Sequence, residues 1–412
     1  MAKDDHSKAM PPAFAKFFAD ALPNDGGNHT LCLGEHHADT EHLDFLSMQL
    51  ESLHRDHNLQ TLGLERSTFY NIFLWAYRDG KLTELLGSQE AARNYVKNIF
   101  TAGLISPDYI ETIQETMTVA LKAIDMGMNV NAYDSRDTLL AFKKGYGDRI
   151  DVYNNALACV ADEKKSTTEA VRQQRRYSAQ NDRGIVWPLT EAEWLLNRHP
   201  KYAAKLAALE TLLATGHQKI NEGKLTSDGL SAIVFNAMAE DGNRLTLGGS
   251  RHVSGFGYRH PSISVFHQEH IHGTFAHHLF AAGQPKEAQQ GHTVTHAVIA
   301  TAAVATEHHE QLWKKYCKTP TSLALAGHRV PWLNLDDGST DKLLWHPEDD
   351  DPNHPRIVPL EEKFPIPPDA SPNEIPAIQK AHINPLLMPD IKTAHDAVRE
   401  VMHGKDVGLQ PR

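Results

Sequence analysis

Four short apolar runs in this chain each end in residues able to do acid-base chemistry. Leu31-Cys32-Leu33-Gly34-Glu35-His36-His37 and Leu245-Thr246-Leu247-Gly248-Gly249-Ser250-Arg251-His252 read almost alike: each breaks at glycine, and a histidine follows three positions after Gly34 and after Gly249. Thr61-Leu62-Gly63-Leu64 ends at Glu65-Arg66, and Met128 to Tyr133 ends at Asp134-Ser135-Arg136. If these are parallel strands, their carboxyl ends meet at one edge of a sheet, where α/β proteins bind ligands. Two glutamates, two histidines and two or three arginines there would supply a general base, a general acid and oxyanion-stabilising donors. Glu35, His37, Glu65 and His252 are also a set of possible metal ligands, although no His-Glu-x-x-His helix organises them.

Each residue also has a plainer role open to it. A Gly-x-x-His stretch arises often by chance, and the joint placement of two is what gives them weight. Glu65 could form a structural ion pair with Arg66 or Arg136, and Asp134 with Arg136 could organise a loop or clamp substrate. His36 and His42 read as supporting or solvent-facing, and His260, His267, His270 and His272 as background in a chain with 26 histidines. Gly255-Phe256-Gly257 has the wrong spacing for a phosphate cradle, and there is no serine nucleophile elbow, so a Rossmann cofactor and a serine hydrolase are both disfavoured.

The elements that must position these groups follow from periodicity. An amphipathic helix is expected around Pro12 to Ala21, then a buried strand at Leu31 to Leu33. A helix from Thr40 follows, with Leu43, Leu46, Leu50 and Leu53 on one face and Asp39 or Thr40 as N-cap. The next strand, Thr61 to Leu64, is expected to join the first by a right-handed parallel crossover. A helix face at Ile110, Ile113, Met117, Leu121 and Ile124 precedes the strand Met128 to Tyr133, and a helix carrying Leu230, Ile233, Val234 and Met238 precedes the strand Arg244 to Leu247. Val294 to Ala305 and Thr321 to Ala326 fit either strand or buried helix, Asp336 to Pro372 reads as extended surface or linker, and Ile391 to Met402 has a helical period. The fold class is therefore α/β, a mostly parallel sheet flanked by helices, with an inserted helical cap and a C-terminal extension. The expected divisions are an arm and helix at 1–30, core at 31–148, the cap at 149–222, core again at 223–335, and a Pro/Asp-rich extension at 336–412.

A length of 412 residues, 41% of them hydrophobic, gives ample core. The 41 basic and 52 acidic residues, a formal charge of -11, argue against nucleic acid as the main partner. Three scattered cysteines make neither a disulfide framework nor a thiolate metal site. Neither a secretory signal nor a transmembrane run is visible, so the expected location is cytoplasmic, or secreted as an effector without a cleavable signal peptide.

Taken in order, Leu33-Gly34-Glu35-His36-His37 with His42, Leu62-Gly63-Leu64-Glu65, and Asn131-Ala132-Tyr133-Asp134 resemble the superfamily that joins the haem-binding ChaN proteins, the TIKI and TraB proteins and the erythromycin esterases. Asn236-Ala237-Met238-Ala239 before Leu247-Gly248-Gly249-Ser250-Arg251-His252 and the glycine-containing loop after it is similar to the second half of that pattern. The resemblance spans about Leu31 to Pro261. One position departs from it: Phe235 stands where many members carry arginine, leaving Arg251 to supply that charge. The resemblance implies a site built from Glu35, His37, Glu65 and His252, with Arg66, Asp134, Arg136, Asn236, Ser250, Arg251 and Tyr258 toward substrate. It implies a hydrolase of amide or ester bonds, acting on a small-molecule ester or on a protein or peptide as a protease or toxin-like effector, with or without a divalent metal. The rival it also implies is haem binding through His37, His252 or Tyr258; a catalytically silent interaction module is the third reading.

Overall fold

A computed structural model describes residues 10–35, 39–102, 107–135, 186–222, 224–225, 227–249, 294–301, 330–344, 356–357 and 388–404. Helix α1 (Pro12–Ala21) starts where Pro11 and Pro12 preset the first turn, and it buries Phe14, Phe18 and Ala21 at helical spacing. Strand β1 (Thr30–Glu35) is followed by α2 (Glu41–Asp56), and β2 (Leu59–Ser67) by α3 (Asn71–Arg78), α4 (Lys81–Leu86), α5 (Gln89–Thr101) and α6 (Pro107–Asp125). Then come β3 (Asn129–Asp134), α7 (Val186–Arg198), α8 (Pro200–Asn221), α9 (Ser227–Met238) and β4 (Asn243–Gly249). Strands β5 (Val294–Ala300), β6 (Val330–Asn334), β7 (Thr340–Leu344) and β8 (Arg356–Ile357) precede the last helix, α10 (Pro389–His403).

The strands form one sheet in the order β3-β2-β4-β1-β5-β6-β7-β8, parallel as far as β6 and antiparallel for the last two. The expected α/β class is what is found. The expected neighbours are not: β1 and β2 run parallel, but β4 returns from much later in the chain to lie between them. It pairs with β1 glycine on glycine, Gly34 opposite Gly248, so the two look-alike segments leave the sheet side by side. The chain then crosses β1 to lay down β5 and β6 on the far side. Crossovers in opposite directions part at the carboxyl ends of β4 and β1, which is where an open α/β sheet has its crevice.

Every residue of β1, β3 and β4 is buried, which explains their near-continuous apolar character. Side chains alternate across the strands. Gly63 faces the Phe235 ring of α9, while its neighbour Leu64 faces His42 and Leu43 of α2 and Thr116 of α6. Helix α9 thus covers one face and α2 with α6 the other. The edge strand β3 is closed by Asn71, whose amide donates to Ala132 O at 2.7 Å and whose Oδ1 accepts the Ala132 N–H at 2.8 Å. Asn129 and Asn131 donate to Met238 O at the end of α9, satisfying a helix-terminal carbonyl.

Helices α7 and α8 are the described part of the expected cap, and their Leu189, Leu195, Tyr202 and Leu209 join the same hydrophobic core as the sheet. Helix α10 does so through Ile391 and Val398. Of the expected extended segment Asp336 to Pro372, residues 340–344 and 356–357 are strands that continue the sheet. Of the two ambiguous runs, residues 294–300 are a strand, and Thr321 to Ala326 lies outside the described residues. No helix among the described residues is long and apolar enough to cross a membrane.

Candidate active site

Glu35, the last residue of β1, and Glu65-Arg66, near the end of β2, come together at the carboxyl edge around a cavity of about 10 Å³, on the order of one water. Leu43, Leu64, Leu247 and Thr116 complete its walls with His42. The pairing of β2 with β3 slips by one residue between Leu64 and Ser67, an irregularity at Glu65 and Arg66. Such bulges re-aim side chains beside active sites.

Glu65 Oε2 accepts the backbone N–H of Gly249 at 2.6 Å. This tie crosses from β2 to β4 and fixes the carboxylate where the second glycine run leaves the sheet. Gly248 makes the approach possible: a Cβ there would stand 2.6 Å from Tyr133 Oη and 3.0 Å from Glu65 Oε2. The Tyr133 hydroxyl donates to Leu247 O at 3.0 Å, and burial, then the Glu65 charge, holds the phenol well above its ordinary range, so it stays protonated. Cys32, beneath the site on β1, is likewise pushed up to about 12 by burial, and is no thiolate nucleophile.

His42 is only 1% exposed, and its Nε2 lies 3.7 Å from Glu35 Oε2, beyond hydrogen-bond reach but within ion-pair distance when the imidazole carries a second proton. It is not solvent-facing, because the first turn of α2 turns it into the sheet. Arg66 donates through Nη1 to Glu65 O at 3.1 Å, and its guanidinium lies 5.9 Å from the centre of the Tyr109 ring. Its Nε is buried with no hydrogen-bond partner among the described residues, leaving a cationic donor in the cavity wall unsatisfied there.

Asp134 is buried at the end of β3, opposite Ser67. The next residue, Ser135, is tied to the helices: its N–H donates to Ser231 Oγ, its hydroxyl to Ser227 O, and its carbonyl meets His217 Nε2. Asn236, expected toward substrate, is engaged elsewhere, with Oδ1 3.0 Å from His395 Nε2 and its carbonyl accepting from Arg399. Phe235, which stands where many members of the resembled superfamily carry arginine, is fully buried against Gly63 and Tyr133, and among the described residues the cation lining the cavity is Arg66. His37, Arg136, Ser250, Arg251, His252 and Tyr258 lie outside the described residues.

Two of the four possible metal ligands are therefore placed, Glu35 and Glu65. Among the described residues no group of three His, Cys, Asp or Glu side chains is arranged to hold a metal ion. Of the two places the sequence suggested for His42, supporting or solvent-facing, it takes the first, whereas Thr116 and Tyr133 were not expected as site residues. A signal for His42 was available, since it shares helical spacing with Phe45, Gln49 and Leu53, all buried.

Compared with known proteins, the chain matches no family model, no curated protein and no solved structure.

Proposed function

We propose that the chain is a hydrolase of amide or ester bonds. The observation that carries this reading is that one water-sized cavity is lined both by Glu35 and by Arg66, whose buried Nε–H has no partner among the described residues. A base and a desolvated cationic donor facing the same small space is what addition of water to a carbonyl requires. In this reading Glu35 takes a proton from water as its oxygen attacks the carbonyl carbon. The oxyanion forms against Arg66, and collapse breaks the C–O or C–N bond as the leaving group takes the proton from Glu35. His42 stands beside Glu35, and Glu65, held by Gly249, keeps the β2 and β4 ends in register. His37 and His252, assigned from sequence, are the expected further acid-base groups.

A panel of p-nitrophenyl esters and internally quenched peptides should reveal turnover by the full chain. Glu35→Gln should lower kcat by roughly 10²–10⁴, and Arg66→Ala by about 10²–10³, with unchanged circular dichroism and melting. Undiminished turnover in Glu35→Gln, or none in the wild type across both panels, would remove the proposal. Added haemin should give no sharp Soret band; a band abolished by His37→Ala would favour the haem reading instead.

A further inference from the structure

A second cavity, of about 510 Å³, lies between α1, α2 and the turn joining β6 to β7. Phe14, Phe45, Met48 and Leu335 give it apolar walls, and Glu41 and Asp44 stand among them. It shares α2 with the candidate active site but uses another side of that helix: Glu41 lines this cavity, whereas His42 and Leu43 line the other. The proposed hydrolysis makes no use of it.

Three features together describe an occupant. The volume falls in the range of small-molecule sites, about 300–1,000 Å³. Among the described residues the walls carry exposed apolar surface. Met48 is 49% exposed, one of two large hydrophobic side chains so exposed among the described residues, and methionine adapts to varied apolar ligands. Among the described residues the charge at the cavity is of one sign: their lining contains two carboxylates and no Lys, Arg or His, and neither Glu41 nor Asp44 has an ion-pair partner among them. Burial, followed by the nearby charges of Asp39, Asp336 and Asp44, holds the Glu41 carboxyl above its ordinary range. A cation entering here would relieve the repulsion between Glu41 and Asp44, whereas an anion would add to it.

We infer that this cavity binds a small amphiphilic organic cation, an apolar chain or ring bearing a protonated amine, with the body against Phe45 and Met48 and the amine between Glu41 and Asp44. The site is independent of the hydrolase reading.

The probes are n-octylammonium and n-octanoate, matched in length and opposite in charge, titrated calorimetrically into the full chain below their micelle concentrations at neutral pH. One saturable site for octylammonium, at least tenfold tighter than octanoate, is expected. Met48→Lys places a cation at the solvent-exposed mouth and should weaken octylammonium at least tenfold without shifting the melting temperature. Should that variant fold poorly, Glu41→Gln with Asp44→Asn should narrow the preference over octanoate while leaving the fold intact. Equal binding of the two probes, or octylammonium affinity untouched by either variant, overturns the inference. So does an octylammonium titration without heat alongside binding of a lysine-bearing amphipathic peptide, which would assign the surface to a protein partner, or a concentration-dependent dimer that Met48→Lys dissociates, which would assign it to a second copy.

Discussion

Gly63 is the residue on which the packing of α9 against the sheet turns. A Cβ at this position would stand 2.5 Å from Phe235 Cε2, 2.9 Å from Cδ2 and 3.1 Å from Thr246 Cγ2. The ring cannot swing aside freely, because it is fully buried and meets Tyr133 edge-on at 5.7 Å. Gly63→Ala should therefore destabilise the protein by about 1–3 kcal/mol, the usual cost of overfilling a packed core, read as a lower urea midpoint at unchanged slope. Phe235→Leu in the same chain should return part of that loss, since two residues in contact do not behave additively; no coupling between them would mean that the alanine is accommodated by the backbone. Because Tyr133 and Glu65 both lie close to Gly248, a shift of this ring also acts on the site, and Gly63→Ala should lower turnover even where the protein remains folded.

At the scale of elements, α10 docks on α8 and α9 through groups that respond to pH. His395 Nε2 meets Asn236 Oδ1 at 3.0 Å, Arg399 reaches the carbonyls of Asn236 and Ala239, and Lys219 pairs with Asp390 at 2.6 Å. The groups acting on His395 are Asp396, which favours its charged form, and Arg399 and Lys392, which oppose it; burial is the largest influence and holds it below its ordinary 6.5. The released helix therefore binds a proton more readily than the docked one. As pH falls below about 6.5, docking should weaken, and it should stop weakening once the pH is below the depressed docked value. Amide exchange in residues 389–403, corrected for intrinsic rate, should be faster at pH 5.5 than at 7.5, and His395→Gln should shrink that difference to the share contributed by His403, which burial also depresses. The helical period of this segment was legible in the sequence, as were α1 and the strands β1 to β4, because burial on both faces leaves continuous apolar runs. Glu35, Glu65 and Arg66 were legible for the same reason, as the first polar residues after such runs. His42 was only half legible: its spacing with Phe45, Gln49 and Leu53 marks a buried face, but it sits between Glu41 and Asp44, whose exposed carboxylates make the first turn of α2 look like surface. Strands β7 and β8 were hidden by composition: at the edge of a sheet, polar residues are tolerated that a central strand excludes.

Strand order was the least legible feature, and it is the one that makes the whole molecule interdependent. Nothing in the local sequence of β4 says that it will part β1 from β2, since register is set by which apolar faces are buried together across roughly two hundred residues of chain. The consequence can be tested by truncation. A chain ending at Gly249 retains β1 to β4 but loses β5, turning β1 from a strand paired on both sides into an edge of uninterrupted buried residues. An unprotected apolar edge invites pairing between copies. The same cut removes Ile299, Ile391 and Val398 from the common core. At about 1.5–3 kcal/mol for each buried side chain, these three account for much of a typical folding stability of about 5–15 kcal/mol. Residues 1–249 should therefore be recovered as aggregate, or as a soluble chain without a cooperative melting transition, whereas residues 1–404 should elute and melt like the full chain. A monomeric, cooperatively folded 1–249 fragment would show instead that the Glu35 and Glu65 edge is held by the first four strands alone, and it would then be the smallest unit in which to measure turnover.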